Sequence, residues 1–158
     1  MSDWLPQLIL MSSYGNNWSE FLDAIYRFFK KDYMYSKPSF NGEHIGHKRH
    51  PAIQGKEATF WHLISEGSNE SERVPEIRRC ERIRWPRAVI DNCGDPDVKV
   101  WENSRRGECR VVLWFEKQNY VVVLARRKDY LLLWTAYPVV RVHRKEKLRK
   151  EYENSLKG

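Results

Sequence analysis

An α+β domain, with N-terminal helices ahead of a four-stranded antiparallel sheet and a closing C-terminal helix, is predicted by three observations. Apolar residues recur at spacings of three and four through residues 19–33, the period of an amphipathic helix. Four short apolar runs rich in Val, Leu and aromatics follow at 98–101, 109–115, 120–125 and 130–136. They are strand-length, and the polar breaks between them are too short for the dozen or more residues a parallel crossover needs. Finally, 143–156 is a run of strong helix formers. At 158 residues the chain is expected to form one domain. Its parts are an N-terminal helical extension (1–50), helices (56–93), the sheet (98–140) and the last helix (143–156).

Near the N-terminus, residues 4–11 carry an apolar patch with neither a positive leader nor the length of a membrane span, and packing on the core is expected. In the first helix Phe21, Leu22, Ile25, Phe28 and Phe29 form the stripe that faces the sheet, and Asn17 or Ser19 caps its start. Lys37-Pro38 ends the pattern, and 39–45 reads as a short extended piece leading into a loop. That loop holds His44, His47 and His50 at spacing three. Gly46 and Pro51 oppose a regular helix there, and no Cys or carboxylate stands beside them at a recognised ligand spacing. A basic loop near a polyanion is therefore preferred to a metal site.

Phe60, Leu63 and Ile64 then define a short helix that carries His62 on its flank. Residues 66–72 read as a polar surface loop, and 75–85 as a helix with Ile77, Cys80, Ile83 and Arg84 on one face, bent at Trp85-Pro86. Arg78, Arg79, Arg82 and Arg87 fit a solvated basic face paired with Glu76 and Glu81. Arg84 lies on the apolar side, where an unpaired charge is costly, so it must meet a carboxylate such as Glu102 or a ligand phosphate. In the final helix Leu148 and Tyr152 are the expected anchors.

The chemistry concentrates at the end of the fourth strand. Strand alternation puts Thr135 and Tyr137 on one face, and Arg105, Arg106 and Arg110 on the preceding hairpin fall within reach in a suitable register. A net charge of +7 with seven Trp and eight Tyr suits a polyanion whose bases stack on rings, although charge alone equally serves solubility. Cys80, Cys93 and Cys109 are odd in number and widely spaced, which gives no disulfide framework and fits a reducing cytoplasm. A glycine-rich phosphate loop, a Gly-x-Ser-x-Gly elbow, a His-Glu-x-x-His pair and a two-metal carboxylate cluster are all missing from the sequence.

Phe60-Trp61-His62, Glu81-Arg82-Ile83-Arg84-Trp85, Trp101-Glu102-Asn103 and Thr135-Ala136-Tyr137-Pro138 together give residues 56–151 a likeness to one family. The chain resembles the phage-associated branch of the barnase, EndoU, colicin and RelE-like ribonucleases. The resemblance implies metal-independent RNA cleavage without a cofactor, by attack of the ribose 2'-hydroxyl on the adjacent phosphorus. It assigns His62 the acid or base role, Thr135 and Tyr137 the phosphate contacts, and Arg84 a bidentate phosphate contact. Lys56, Arg105, Arg110, Trp61 and Trp85 complete the substrate-binding set, and Tyr137, Lys56 and His143 all stand open as the second acid or base. The implied partners are RNA, transfer or messenger, and the antitoxin or immunity protein that accompanies many toxins of this kind. Two other classes fit the residues: an RNA-binding module without catalysis, and a structural adaptor in which Trp101, Trp114 and Trp134 form core or an interface.

Overall fold

A computed structural model describes residues 3–67 and 73–157. Helix α1 (Trp18–Phe29) starts where the Asn17 side chain accepts the Glu20 amide at 3.0 Å, and it runs on as a π-type segment, Lys30–Tyr35. The buried stripe is Phe21, Leu22, Ile25 and Phe29, followed by Tyr33, whereas the expected Phe28 sits at its margin, only half-buried. Strands β1 (Ser39–Phe40) and β2 (Glu43–Gly46) form a hairpin over Asn41 and Gly42, whose φ values of 49° and 81° suit this tight turn.

The long meander consists of β5 (Val98–Arg105), β6 (Glu108–Phe115), β7 (Tyr120–Arg126) and β8 (Leu131–Pro138), with each consecutive pair antiparallel. The sheet is larger than the expected four antiparallel strands. It is mixed and six-stranded, in the order β1-β2-β8-β7-β6-β5, because β2 adds to β8 in parallel, Ile45 opposite Leu131 and Gly46 opposite Leu132. Adding β2 satisfies part of the β8 edge that the meander alone would leave open.

Between the two groups lie α2 (Ala58–Ile64), a small ladder of β3 (Ser65–Glu66) with β4 (Val74–Pro75), α3 (Ile77–Glu81) and α4 (Trp85–Asp91). Residues 68–72 of the expected polar loop lie outside the described residues. The expected 75–85 helix is shorter, and the chain turns at 82–84, before Trp85. Pro86 sits in the first turn of α4, where its missing N–H costs nothing, so it starts a helix rather than bending one. Cys80 and Ile83 are buried as expected, whereas Ile77 is exposed.

Each face of the sheet is covered. Phe21, Phe29, Phe60, Ile64, Ile83 and Ile90 pack on one face with Leu113, Val122, Leu124 and Leu133. From the N-terminal part, α1, Phe40 and Ile45 belong to the same core as the meander. Trp4 reaches it too, with its ring 5.0 Å from Phe115. On the other face α5 (Val142–Leu156) sets Leu148 among Trp101, Val112, Trp114, Val121 and Val123, and the Tyr152 ring lies 5.6 Å from Trp101. Trp101 and Trp114 are therefore core residues of this chain. Among the described residues no helix is long and apolar enough to cross a membrane.

Helix α5 is also tied down by charge. Glu116 accepts from Arg149 at 2.8 Å and from Lys99, and these bonds hold its carboxyl below the ordinary value of 4.5. A lowered carboxyl stabilises the fold above the unfolded value, and that contribution disappears as pH falls through the folded value. Stability should therefore drop more gently between pH 5 and 3 in Glu116→Gln protein than in wild type, as read by urea midpoints across that range.

Strand β8 carries one irregularity. Val123 pairs with Thr135 and Leu124 with Leu133, so Trp134 is an extra residue, a β-bulge. Through this register Thr135 and Tyr137 lie opposite Val123 and Val121, on the face covered by α5, while Ala136 joins the core on the other face.

Candidate functional site

Because β2 pairs only with Leu131 and Leu132, the later half of β8 runs on as an edge beside α2 and α3. The bulged Trp134 stands there. Its ring meets the His62 imidazole edge-on at 5.6 Å, and the Arg110 guanidinium lies 5.6 Å from its centroid. Three residues on, Tyr137 has Arg79 at 5.3 Å and Arg144 at 5.9 Å from its ring. Arg144 Nη2 also donates to Tyr137 Oη at 2.6 Å. Each cation–ring contact contributes about 0.5–1 kcal/mol where water has access, and more where it does not. Burial lowers the pKa of Arg79, which is held in place by donating to the Ser65 carbonyl at 2.6 Å.

A shallow groove between the sheet and α5 continues this surface. Asn103, Arg105, Arg110, Tyr137, Arg144 and Glu151 line it. Arg110 Nη2 donates to Glu108 at 3.1 Å, and Asn103 Nδ2 to Glu151 at 3.2 Å. Arg110 Nε and Asn103 Oδ1 are buried there without a protein partner. Guanidinium donors beside aromatic rings and a strand-end hydroxyl can bind phosphate and stack a base.

His62, Thr135, Tyr137, Arg105 and Arg110 thus belong to the β8 end or to the groove beside it. His143 is exposed in the first turn of α5, and the other four residues of the expected catalytic and binding sets lie elsewhere. Arg84 forms a two-pronged pair with Asp32, both bonds at 3.2 Å, and covers the Phe28 ring at 4.9 Å. It meets a carboxylate as required, but one on the π-type segment; Glu102 pairs with Arg126 instead. Trp85 is a core residue, with Nε1 donating to the Pro6 carbonyl at 2.9 Å and its ring 5.2 Å from Tyr120. Lys56, with a side chain only 12% exposed, lies over the Tyr26 ring at 5.3 Å and 3.9 Å from Asp23. Trp61 lines a separate cleft on the far side of α2, a cleft of about 550 Å³ that His62 also lines.

Sequence reasoning missed Arg79, Arg144 and Trp134. Arg79 reads as one of a solvated series, and only the α3 turn turns it over Tyr137. In the histidine loop His47 packs on Phe29 at 5.9 Å, and burial lowers its pKa. Among the described residues no group of three or more His, Cys, Asp and Glu is placed to hold a metal ion. Burial pushes the Cys80 thiol up to about 12; Cys109, through its bond to Glu102, and Cys93, through burial, are also raised, so none is an activated nucleophile.

Comparison of the chain with protein-family profiles, with curated proteins and with solved structures gave no match.

Proposed function

We propose that the chain is a metal-independent endoribonuclease that holds its substrate at the end of β8. The observation that carries this reading is the gathering of two rings and four nitrogen-bearing side chains at one strand end, Trp134 beside His62 and Arg110, and Tyr137 beside Arg79 and Arg144. Aromatic rings beside guanidinium groups suit a strand of bases and phosphates, and an imidazole exchanges protons near neutral pH.

In the proposed step the 2'-oxygen gives up its proton to a base and bonds to phosphorus. The phosphorus–O5' bond breaks, the leaving oxygen takes a proton from an acid, and the products are a 2',3'-cyclic phosphate and a 5'-hydroxyl. His62 serves as one proton-transfer group. Tyr137, at the same strand end, is preferred as the other to Lys56, which is engaged by Tyr26 and Asp23. Thr135 donates to a non-bridging oxygen, and Arg110, Arg79 and Arg144 offset the charge that builds on it. Three thiols outside any disulfide suit a cytoplasmic setting.

The test is incubation of wild type and Thr135→Ala with total and transfer RNA in EDTA, reading fragment ends. Wild type is expected to leave cyclic phosphates, and Thr135→Ala to cleave about a hundredfold more slowly, the usual cost of removing one such donor. RNA bound but left intact, with or without added divalent metal, overturns catalysis. It selects the second reading, a binding module, which is favoured by the engagement of the Tyr137 hydroxyl by Arg144.

A further inference from the structure

Apart from His62, the residues of the cleft beside α2 have no role in the chemistry above. It is lined by Trp18, Leu22, Ile53, Gln54, Trp61 and Arg73 among others, and its volume of about 550 Å³ falls within the range of about 300–1,000 Å³ usual for small-ligand sites. His62 lines this cleft and also meets Trp134, so one imidazole joins the cleft to the strand end.

A strained turn stands among the lining residues. The chain doubles back between Ile53 and Lys56, whose backbones exchange two hydrogen bonds at 3.0 Å. Gln54 and Gly55 both have positive φ, 54° and 72°, the pattern of a type I' turn. Asn, Asp or Gly is the usual first central residue, because a longer side chain gains nothing from this backbone. Glutamine is held there all the same, and the turn is pinned to α2 by Trp61 Nε1 donating to the Ile53 carbonyl at 3.0 Å. A non-glycine residue kept in this region is a pointer to function. The Gln54 side chain is solvent-exposed and offers one carbonyl acceptor and an amide donor. Trp18, 40% exposed at the start of α1, and Trp61 supply indole surface to the same cleft.

We infer that this cleft is a nucleobase subsite, in which indole surface takes the base by stacking and the Gln54 amide reads its edge, with adenine preferred. The preference comes from reading the N7 edge: there a Gln amide matches the adjacent donor and acceptor of adenine N6 and N7 with two bonds, whereas guanine presents two acceptors and the pyrimidines no such pair. Arg73, which also lines the cleft, donates to the His62 and Ser65 carbonyls at 3.1 and 2.6 Å and so ties its wall to α2. The ribonuclease reading supplies the class of ligand, and the subsite would set which base lies beside the cleaved bond.

The experiment is titration of the full chain with the adenosine, guanosine, cytidine and uridine 5'-monophosphates, followed by tryptophan fluorescence and two-dimensional NMR. None of them contains an internucleotide bond, so the result does not depend on turnover. Adenosine monophosphate is expected to bind most tightly and to shift the Trp18 and Trp61 indole signals. Trp18→Ala should weaken it about tenfold, from the stacking lost per base. Gln54→Gly, which suits the positive φ and so protects the fold, should level the four affinities. RNA cleavage with no nucleotide response at these indoles would overturn the subsite and leave the ribonuclease reading standing. Nucleotide binding without any RNA cleavage would do the reverse. Adenosine preference that persists in Gln54→Gly would remove Gln54 from the assignment.

Discussion

Arg84→Ala protein is expected to lose about 3 kcal/mol of stability, the lower end of what breaking a buried ion pair costs. The reason is the carboxylate left behind: Asp32 has a side chain only 8% exposed, and Arg84 gives it two bonds in fork geometry. Without the guanidinium the carboxylate stays enclosed by protein and lacks its counter-charge. Arg84→Lys should recover little, since an ammonium cannot reproduce the fork or lie flat on Phe28. Replacing both partners, Arg84→Met with Asp32→Leu, should cost less than either single removal, because no charge then remains to be stranded. Urea midpoints of these proteins, of Asp32→Leu alone and of wild type decide. A stable Arg84→Ala protein that has lost only RNA binding would return Arg84 to the substrate.

His62→Ala is expected to reduce RNA turnover about 10²–10⁴-fold, the range for losing a positioned acid or base. RNA affinity should change far less, because Arg79, Arg105, Arg110 and Arg144 all remain at the strand end and the groove. The loss should therefore fall on kcat and spare KM. The salt dependence of binding, which counts phosphate contacts, should keep its slope in His62→Ala and flatten in Arg110→Ala. A His62→Ala protein with full turnover would remove the imidazole from the proposed chemistry.

Local pattern and tertiary pairing were not equally legible in the sequence. The stripe of Phe21, Leu22, Ile25 and Phe29 and the anchors Leu148 and Tyr152 follow from helical spacing, and each is where that spacing requires. The meander follows from run length and short breaks. Strand β2 escapes the same reasoning, because its partner on β8 lies more than 80 residues away and a four-residue strand carries little pattern of its own. Arg84 illustrates the limit well: the need for an opposite charge is readable from its place on an apolar face. The partner is not, since Asp32 is 52 residues away in sequence. At the candidate site, Thr135 and Tyr137 were legible as neighbours on one face. The position of Arg144 depends on how α5 docks, which no periodicity reports.

The bulge at Trp134 also bears on how this strand tolerates change. On either side of it β8 alternates faithfully: Leu131 and Leu133 face the helical core, and Ala136 resumes that phase beyond the insertion. Excising Trp134 would bring Leu133, Thr135 and Ala136 into plain alternation, every core position would keep its side, and Thr135 and Tyr137 would still face α5. The strand register therefore places no demand on this residue, whose indole packs at the margin of the core under α5. Trp134 is a one-residue insertion that the sheet accommodates at the cost of a regular ladder, at the point where it brings an indole to both His62 and Arg110.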